Sequence, residues 1–339
     1  MAIKIAIVGL GARGQDWIRE VRNATGCELA ACVDADQSTL QRAGAELQLP
    51  AINLFSDLEE ALDRVECDAV IVATSADSHV TACEQSISRK LAVLVEKPFT
   101  MQLNEAVKLV SLAEANQTPL LVAQNYRYMR AFRTARRLVE EGRLGTVGKV
   151  VMHYYRVPHE ITPSLARLPN SVLWGMAIHH LDVIRFILGQ EATGVVADSF
   201  SAPNGQLPSG ASLHVMMSMA DQSRVSYTAT YESSGHEFFE RGQEFYARFV
   251  GNRATLHIFQ RWIVLCEKGK WPRLVKRGPR PISEEGVLLD QLQRALLLGE
   301  KPPSTGRDNL LTMAIVEACL ISAVKKTWVN PQELLNESR

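Results

Sequence analysis

The sequence predicts an α/β domain followed by a second domain of mostly antiparallel strands. Short apolar runs alternate with helical patterns from Ile3 to Gln124, the rhythm of a parallel, doubly wound sheet. From about Ala192 to Cys266 the pattern becomes strands and turns with no helix between them, as in an antiparallel meander. The charge balance shifts as well: residues 1–125 hold 10 basic and 17 acidic side chains, the remainder 27 and 20. These observations divide the chain into domains at 1–125 and 126–339.

Length and composition bound the function. A chain of 339 residues with 46% apolar and 22% charged residues can bury two cores. Equal numbers of basic and acidic residues, 37 each, give no reason to expect nucleic acid or an anionic membrane as partner. The six cysteines form no CxxC pair or metal-ligand spacing, so no metal is expected and a reducing, cytoplasmic setting is. The apolar stretch Met1 to Val8 is too short to span a bilayer and runs straight into glycines, so it reads as a first strand.

That strand, Ile3 to Val8, leads into Gly9-Leu10-Gly11-Ala12-Arg13-Gly14 and a helical pattern through Trp17, Ile18 and Val21. A second strand, Glu28 to Val33, ends in Asp34-Ala35-Asp36. This is the order of a dinucleotide site. Gly9 permits a tight turn, Gly11 lets the pyrophosphate approach the backbone, and Gly14 lets the helix pack closely. Asp34 stands where a carboxylate accepts hydrogen bonds from the adenosine ribose. A 2′-phosphate beside Asp34 and Asp36 would be repelled, so NAD is expected over NADP. Ser56-Asp57-Leu58-Glu59 reads as a capping box. Asp68 to Ala73 is a strand, and Thr74-Ser75-Ala76-Asp77-Ser78-His79 turns into the next helix. The apolar run from Leu91 ends in Glu96-Lys97-Pro98, putting a lysine just past a buried strand, with a proline to fix its direction, through a cis bond if one forms. A helix over about Asn104 to Ala115 and a strand over Pro119 to Gln124 complete the first domain.

In the second half, Arg130, Arg133, Arg136 and Arg137 read as the solvated face of a helix. Val150 to Val157 is a strand, and Pro158 to Asn170, with three prolines, a loop over the site. Trp174 to Leu188 reads as a helix ended by Gly189, with Gly175, His179 and Asp182 on one face. Strands are expected at Gly194–Ala202, Ala211–Met219, Ser223–Tyr231, Glu244–Val250, Ala254–Phe259 and Trp262–Cys266. Helices over about Ser283–Leu298 and Asp308–Lys326 close the chain.

The glycine loop, Asp34, the Thr74-to-His79 turn, Glu96-Lys97-Pro98, Asn125-Tyr126-Arg127-Tyr128 and Ile178-His179-His180-Leu181-Asp182 occur in this order. Together they resemble the glucose–fructose oxidoreductase, inositol dehydrogenase and MocA family over nearly the whole chain. The resemblance implies a Rossmann domain followed by an α+β domain with a large, mostly antiparallel sheet. It also implies NAD(P)-dependent chemistry on a sugar, inositol or related polyol, in a homodimer or homotetramer paired through the open sheet face. Lys97 and His179 are the positions to which the catalytic lysine and histidine of the family carry over.

Removing hydride from a secondary alcohol requires a base for the hydroxyl proton and a cation near the developing oxyanion. Lys97 and His179 suit these roles. The expected cofactor set is Gly9, Gly11, Ala12, Arg13, Gly14, Asp34, Thr74, Ser75, His79, Glu96, Lys97 and Arg127, with Tyr155 and Trp174 as substrate contacts. The chain departs from the family at Gly175, where well-studied members carry an aspartate one turn before the histidine, and at Asp77, where asparagine is common. Three explanations for Gly175 stand open. Asp182 or Glu160 substitutes for the acid, Lys97 and His179 work alone, or dehydrogenation has been lost. The alternatives to a dehydrogenase are therefore an NAD-binding sensor and an NAD-assisted, redox-neutral elimination or glycoside cleavage.

Overall fold

The computed structural model describes residues 2–48, 50, 53–157, 168–203, 207, 210–233, 243–279 and 283–338. The chain forms two compact units, one of Met1–Asn125, Pro281–Leu310 and Ser338–Arg339, the other of Tyr126–Arg280 and Leu311–Glu337. The expected second domain, 126–339, is thus not one continuous piece: 281–310 returns to the first unit. Long-range bonds explain the return. The Ser283 hydroxyl donates to Glu20 Oε2 at 2.8 Å, Val122 N donates to Ser304 O at 2.9 Å, and Leu121 bridges to Thr305. Pairings across such sequence distances leave no local signature.

The first unit runs β1 (Ile3–Val8), α1 (Ala12–Asn23), β2 (Cys27–Val33), α2 (Gln37–Glu46), β3 (Leu54–Phe55), α3 (Leu58–Arg64), β4 (Ala69–Val72), α4 (His79–Ser88), β5 (Ala92–Val95), α5 (Leu103–Ala115) and β6 (Leu120–Val122). The sheet order is β3-β2-β1-β4-β5-β6, and every strand pair is parallel. Each residue of β4 and β5 is buried, which is why these strands appear as unbroken apolar runs. Strand order reverses between β1 and β4, so the carboxyl ends of these strands flank the crevice where such sheets take ligands. Asp57 caps α3 by accepting from Glu60 N at 2.9 Å, so the cap sits one residue later than the expected Ser56.

The second unit holds α6 (Arg130–Glu140), β7 (Val147–Arg156), a π turn over Leu173–Ala177 and α7 (Ile178–Leu188). β8 (Ala192–Phe200), β9 (Ser212–Met219), β10 (Arg224–Thr230), β11 (Gln243–Gly251), β12 (Ala254–Phe259), β13 (Ile263–Glu267) and β14 (Arg273–Leu274) follow. With β7 they make an eight-stranded sheet, β14-β13-β12-β11-β7-β10-β9-β8, antiparallel throughout except between β7 and β10. The expected uniform helix from Trp174 is instead a π turn feeding α7, with Gly175 inside the turn. Gly189 ends α7 with φ +62°, as its position suggested. No helix among the described residues is long and apolar enough to cross a membrane.

Candidate active site

The glycine loop in the first unit has the shape a pyrophosphate needs. Gly9 has φ +90°, and a Cβ there would lie 2.6 Å from Ala73 C and Thr74 N. A Cβ on Gly14 would lie 1.8 Å from Gly9 O, so that glycine is what lets α1 start against the loop. Gly11 differs: a Cβ there meets nothing within 4 Å, so the loop is open on that side. Gly11 also opens α1 with no side-chain cap and no acid in the first turn. The first N–H groups of α1 and its positive dipole end remain available to an anion, and Gly11, Ala12 and Arg13 contribute their amides there. These features fit a dinucleotide phosphate.

Asp34, just past β2, accepts from Leu10 N at 2.7 Å through Oδ2 and from Asp36 N at 2.9 Å through Oδ1. One carboxylate thus ties the glycine loop to the β2 turn and keeps lone pairs for a ribose hydroxyl. Thr74 and the exposed Ser75 follow β4. His79, buried beneath them, braces two turns. Its Nε2 lies 3.2 Å from Thr74 O and its Nδ1 lies 2.9 Å from Pro98 O. Burial lowers its pKa, against the opposing pull of these carbonyls. Expected among the cofactor residues, His79 is in the structure a bracket between the β4 and β5 turns.

Glu96 is likewise internal. Its Oε1 accepts from Arg13 Nε at 2.9 Å, Arg13 Nη2 at 2.6 Å and Trp17 Nε1 at 2.9 Å. Arg13 Nη2 also reaches Glu285 Oε1 at 3.0 Å, which accepts from Asn125 Nδ2 at 3.0 Å. Arg13 and Glu96 therefore lock α1 to the end of β5, and the Arg13 guanidinium faces protein carboxylates. Trp17 and Glu285 went unsuspected in the sequence: Trp17 reads as a core residue, and Glu285 lies 272 positions from its partner. The Lys97 amide leans on Glu96 Oε2 at 3.2 Å, and the Lys97–Pro98 bond is cis. Burial lowers the pKa of the Lys97 amine, and Glu96 pulls the other way. Gln124, just past β6, is buried, and both its amide atoms lack partners among the described residues.

In the second unit His179 opens α7, buried at 5% exposure. Its imidazole stacks on the Tyr126 ring, centroids 4.2 Å apart and planes 12° from parallel. Arg127, expected at the cofactor, has a different partner: Nε and Nη2 both donate to Asp182 at 2.6 Å. Thr312 Oγ1 donates to Asp182 Oδ1 at 2.7 Å and accepts from Arg185 Nη1 at 2.8 Å. Both Asp182 oxygens are taken by this network, so the acid expected to stand in for Gly175 serves to join helices. Glu160, the other suggested acid, lies outside the described residues. His180 places Nδ1 2.9 Å from the Tyr227 hydroxyl, and burial pushes its pKa down to about 3, so it stays neutral.

The expected substrate contacts separate. Trp174 is buried in the π turn. Tyr155 lies on the sheet face opposite to α7, with its hydroxyl 3.2 Å from Thr228 Oγ1 and its ring stacked on His153 at 4.9 Å. Tyr154 instead turns inward, 5.3 Å from the His180 ring. Adjacent strand residues point to opposite faces, which separates Tyr154 from Tyr155.

Residues 3–124 match the family model of an oxidoreductase family with an NAD-binding Rossmann fold, and residues 132–271 match the GFO/IDH/MocA C-terminal domain. The chain belongs to the GFO/IDH/MocA family of oxidoreductases. This GFO/IDH/MocA chain is 26% identical over 348 residues to a D-apiose dehydrogenase of Paraburkholderia graminis, covering 99% of the chain and 91% of that protein. It is 25% identical over 329 residues to an inositol 2-dehydrogenase of Saccharopolyspora erythraea, covering 95% and 93%. Its fold is that of an Agrobacterium radiobacter oxidoreductase crystallised with NAD+, L-tartaric acid and magnesium, with TM-score 0.89, 22% identity and coverage of 99% and 100%. The protein is an NAD-binding oxidoreductase with a six-stranded Rossmann sheet and an eight-stranded, mostly antiparallel sheet.

Proposed function

We propose that this enzyme is an NAD-dependent dehydrogenase that moves a hydride between nicotinamide and a hydroxyl-bearing carbon of a sugar, inositol or related polyol. The observation that carries the reading is Lys97, a half-buried lysine at the carboxyl end of β5, its backbone held by Glu96, which in turn pairs with Arg13 on the helix of the glycine loop. The names of the apiose and inositol dehydrogenases support the substrate class. The pair of carboxylates at Asp34 and Asp36 supports NAD over NADP, since a 2′-phosphate there meets like charge.

The amides of Gly11 to Gly14 would hold the pyrophosphate, Asp34 the adenosine ribose, and Thr74, Ser75 and Lys97 the nicotinamide half. Bound there, the dinucleotide supplies the hydride acceptor or donor. In this reading Lys97 donates a hydrogen bond to the reacting oxygen and stabilises its negative charge as the hydride leaves. His179 carries the hydroxyl proton, its ring plane set by Tyr126. Arg127, paired with Asp182, helps hold α7, which bears His179. Trp174 walls the substrate. The six cysteines are all unpaired, which agrees with a cytoplasmic, reducing setting. Homo-oligomers would pair through the open sheet face, where Phe200, Met216 and Phe259 are exposed.

The test is nicotinamide absorbance of the purified enzyme across a panel of aldoses, inositols and polyols with NAD+ and NADP+. Turnover with NAD+ that Lys97→Ala abolishes is the expected result. Tight NAD+ binding without turnover of any panel member would overturn the reading in favour of a sensor.

A further inference from the structure

The basic helix α6 is a solvated face only in part. Arg136 Nε pairs with Glu140 and Arg137 Nη1 with Glu141 one turn on, each at 2.6 Å. Arg130 and Arg133 do not follow this pattern. Arg130 donates through Nε to Gly278 O at 2.8 Å and through Nη2 to Arg277 O at 3.4 Å, both neutral acceptors. Among the described residues no carboxylate forms an ion pair with Arg130, Arg133 or Arg277. The Arg277 guanidinium donates through Nη2 to Gln260 O at 2.8 Å, its sole acceptor among the described residues. Burial lowers its pKa and the charge of Arg130 lowers it further, which marks two cations set near each other.

The helix itself adds to the imbalance. α6 starts at Arg130, its first turn holds no acid, and Met129 provides no side-chain cap. Cations at the positive end of a helix dipole are the unfavourable arrangement. A cavity of about 200 Å³ opens along the flank of α6, lined by Arg130, Arg133, Thr134, Arg137, Gly278 and Pro279. Its floor is fixed, because Thr134 Oγ1 donates to Arg130 O at 2.7 Å and accepts from Gly278 N at 3.2 Å. Arg137, also on the lining, is already paired with Glu141.

We propose that this cavity is a binding site for a phosphate-class oxyanion, either free phosphate or the phosphoryl group of a small phosphomonoester. Guanidinium forks match the spacing of phosphate oxygens, and Arg133 has no other partner among the described residues. A bound dianion would offset the charge of Arg130 and Arg133, which line the cavity.

Isothermal titration of the full chain with inorganic phosphate, glucose 6-phosphate and chloride at matched ionic strength, in saturating NAD+, tests the site. Saturable phosphate binding that chloride does not reproduce is expected. Arg133→Gln should weaken it about tenfold or more. Arg136→Gln, outside the cavity, should leave it unchanged. Tighter binding of glucose 6-phosphate than of phosphate would support the phosphomonoester, and equal or weaker binding would support free phosphate. Heats equal to those of chloride, full affinity in Arg133→Gln, or an equal loss in Arg136→Gln would each overturn the proposal, since general attraction to basic charge would then suffice.

Discussion

Arg127 and Asp182 meet as a buried two-pronged ion pair, 55 residues apart in sequence, with both hydrogen bonds at 2.6 Å. Their side chains are 5% and 0% exposed. Removing one partner of such a pair leaves an uncompensated charge inside the fold. Asp182→Ala should therefore destabilise the second unit by about 3–5 kcal/mol. Urea denaturation measures this, and Arg127→Met combined with Asp182→Leu should recover much of the loss. If Asp182→Ala were as stable as wild type, the pair would hold nothing together.

Lys97→Met should lower kcat by about 10²–10⁴ while leaving NAD+ affinity within a few fold. It should also change stability with a particular sign. The folded pKa of Lys97 lies below the free value of 10.5, so between the two the unfolded chain binds more protons and stability rises with pH. Below that window the full penalty of burying the charge is present. Lys97→Met should thus be more stable than wild type at neutral pH, with the margin shrinking as pH climbs toward 10.5. Urea midpoints at several pH values read this directly, and a margin independent of pH would contradict it.

His180 predicts behaviour in acid. Its folded pKa is about 3 against 6.5 for the free side chain, so its neutral form contributes stability above 6.5 that is lost as pH falls toward 3. The slope from this one group approaches about 1.4 kcal/mol per pH unit inside the window. His180→Phe should flatten the acid limb of the stability profile, measured by denaturant midpoints between neutral and acid pH.

Asp34→Ser removes the charge proposed to hold the adenosine ribose and to exclude a 2′-phosphate. Taking 1.5–3 kcal/mol for a hydrogen bond to a charged group, NAD+ should bind roughly 10- to 100-fold more weakly. The preference over NADP+ should narrow. Fluorescence titration with both dinucleotides checks this, and an unchanged NAD+/NADP+ ratio would remove Asp34 from the site.

The sequence alone determined what depends on neighbours along the chain. The glycine loop is legible because Gly9 takes a φ of +90° that suits glycine and Gly14 answers a clash with the nearby Gly9 O. β4 and β5 are legible because burial on both faces leaves unbroken apolar runs, and Gly189 is legible as a helix end because its left-handed conformation suits glycine. The alternation of strands and helices then implied the parallel sheet, and the run of strands after Ala192 implied the antiparallel one. Only the tertiary structure decided how residues far apart in sequence meet. It turned Tyr154 inward and Tyr155 outward, gave Asp182 to Arg127, tied Arg13 to Glu96 and Glu285, and returned 281–310 to the first unit. The physical reason is common to all four. A side chain's partner is set by which surfaces the folded chain brings together, and burial makes that choice strong without writing it into any local pattern.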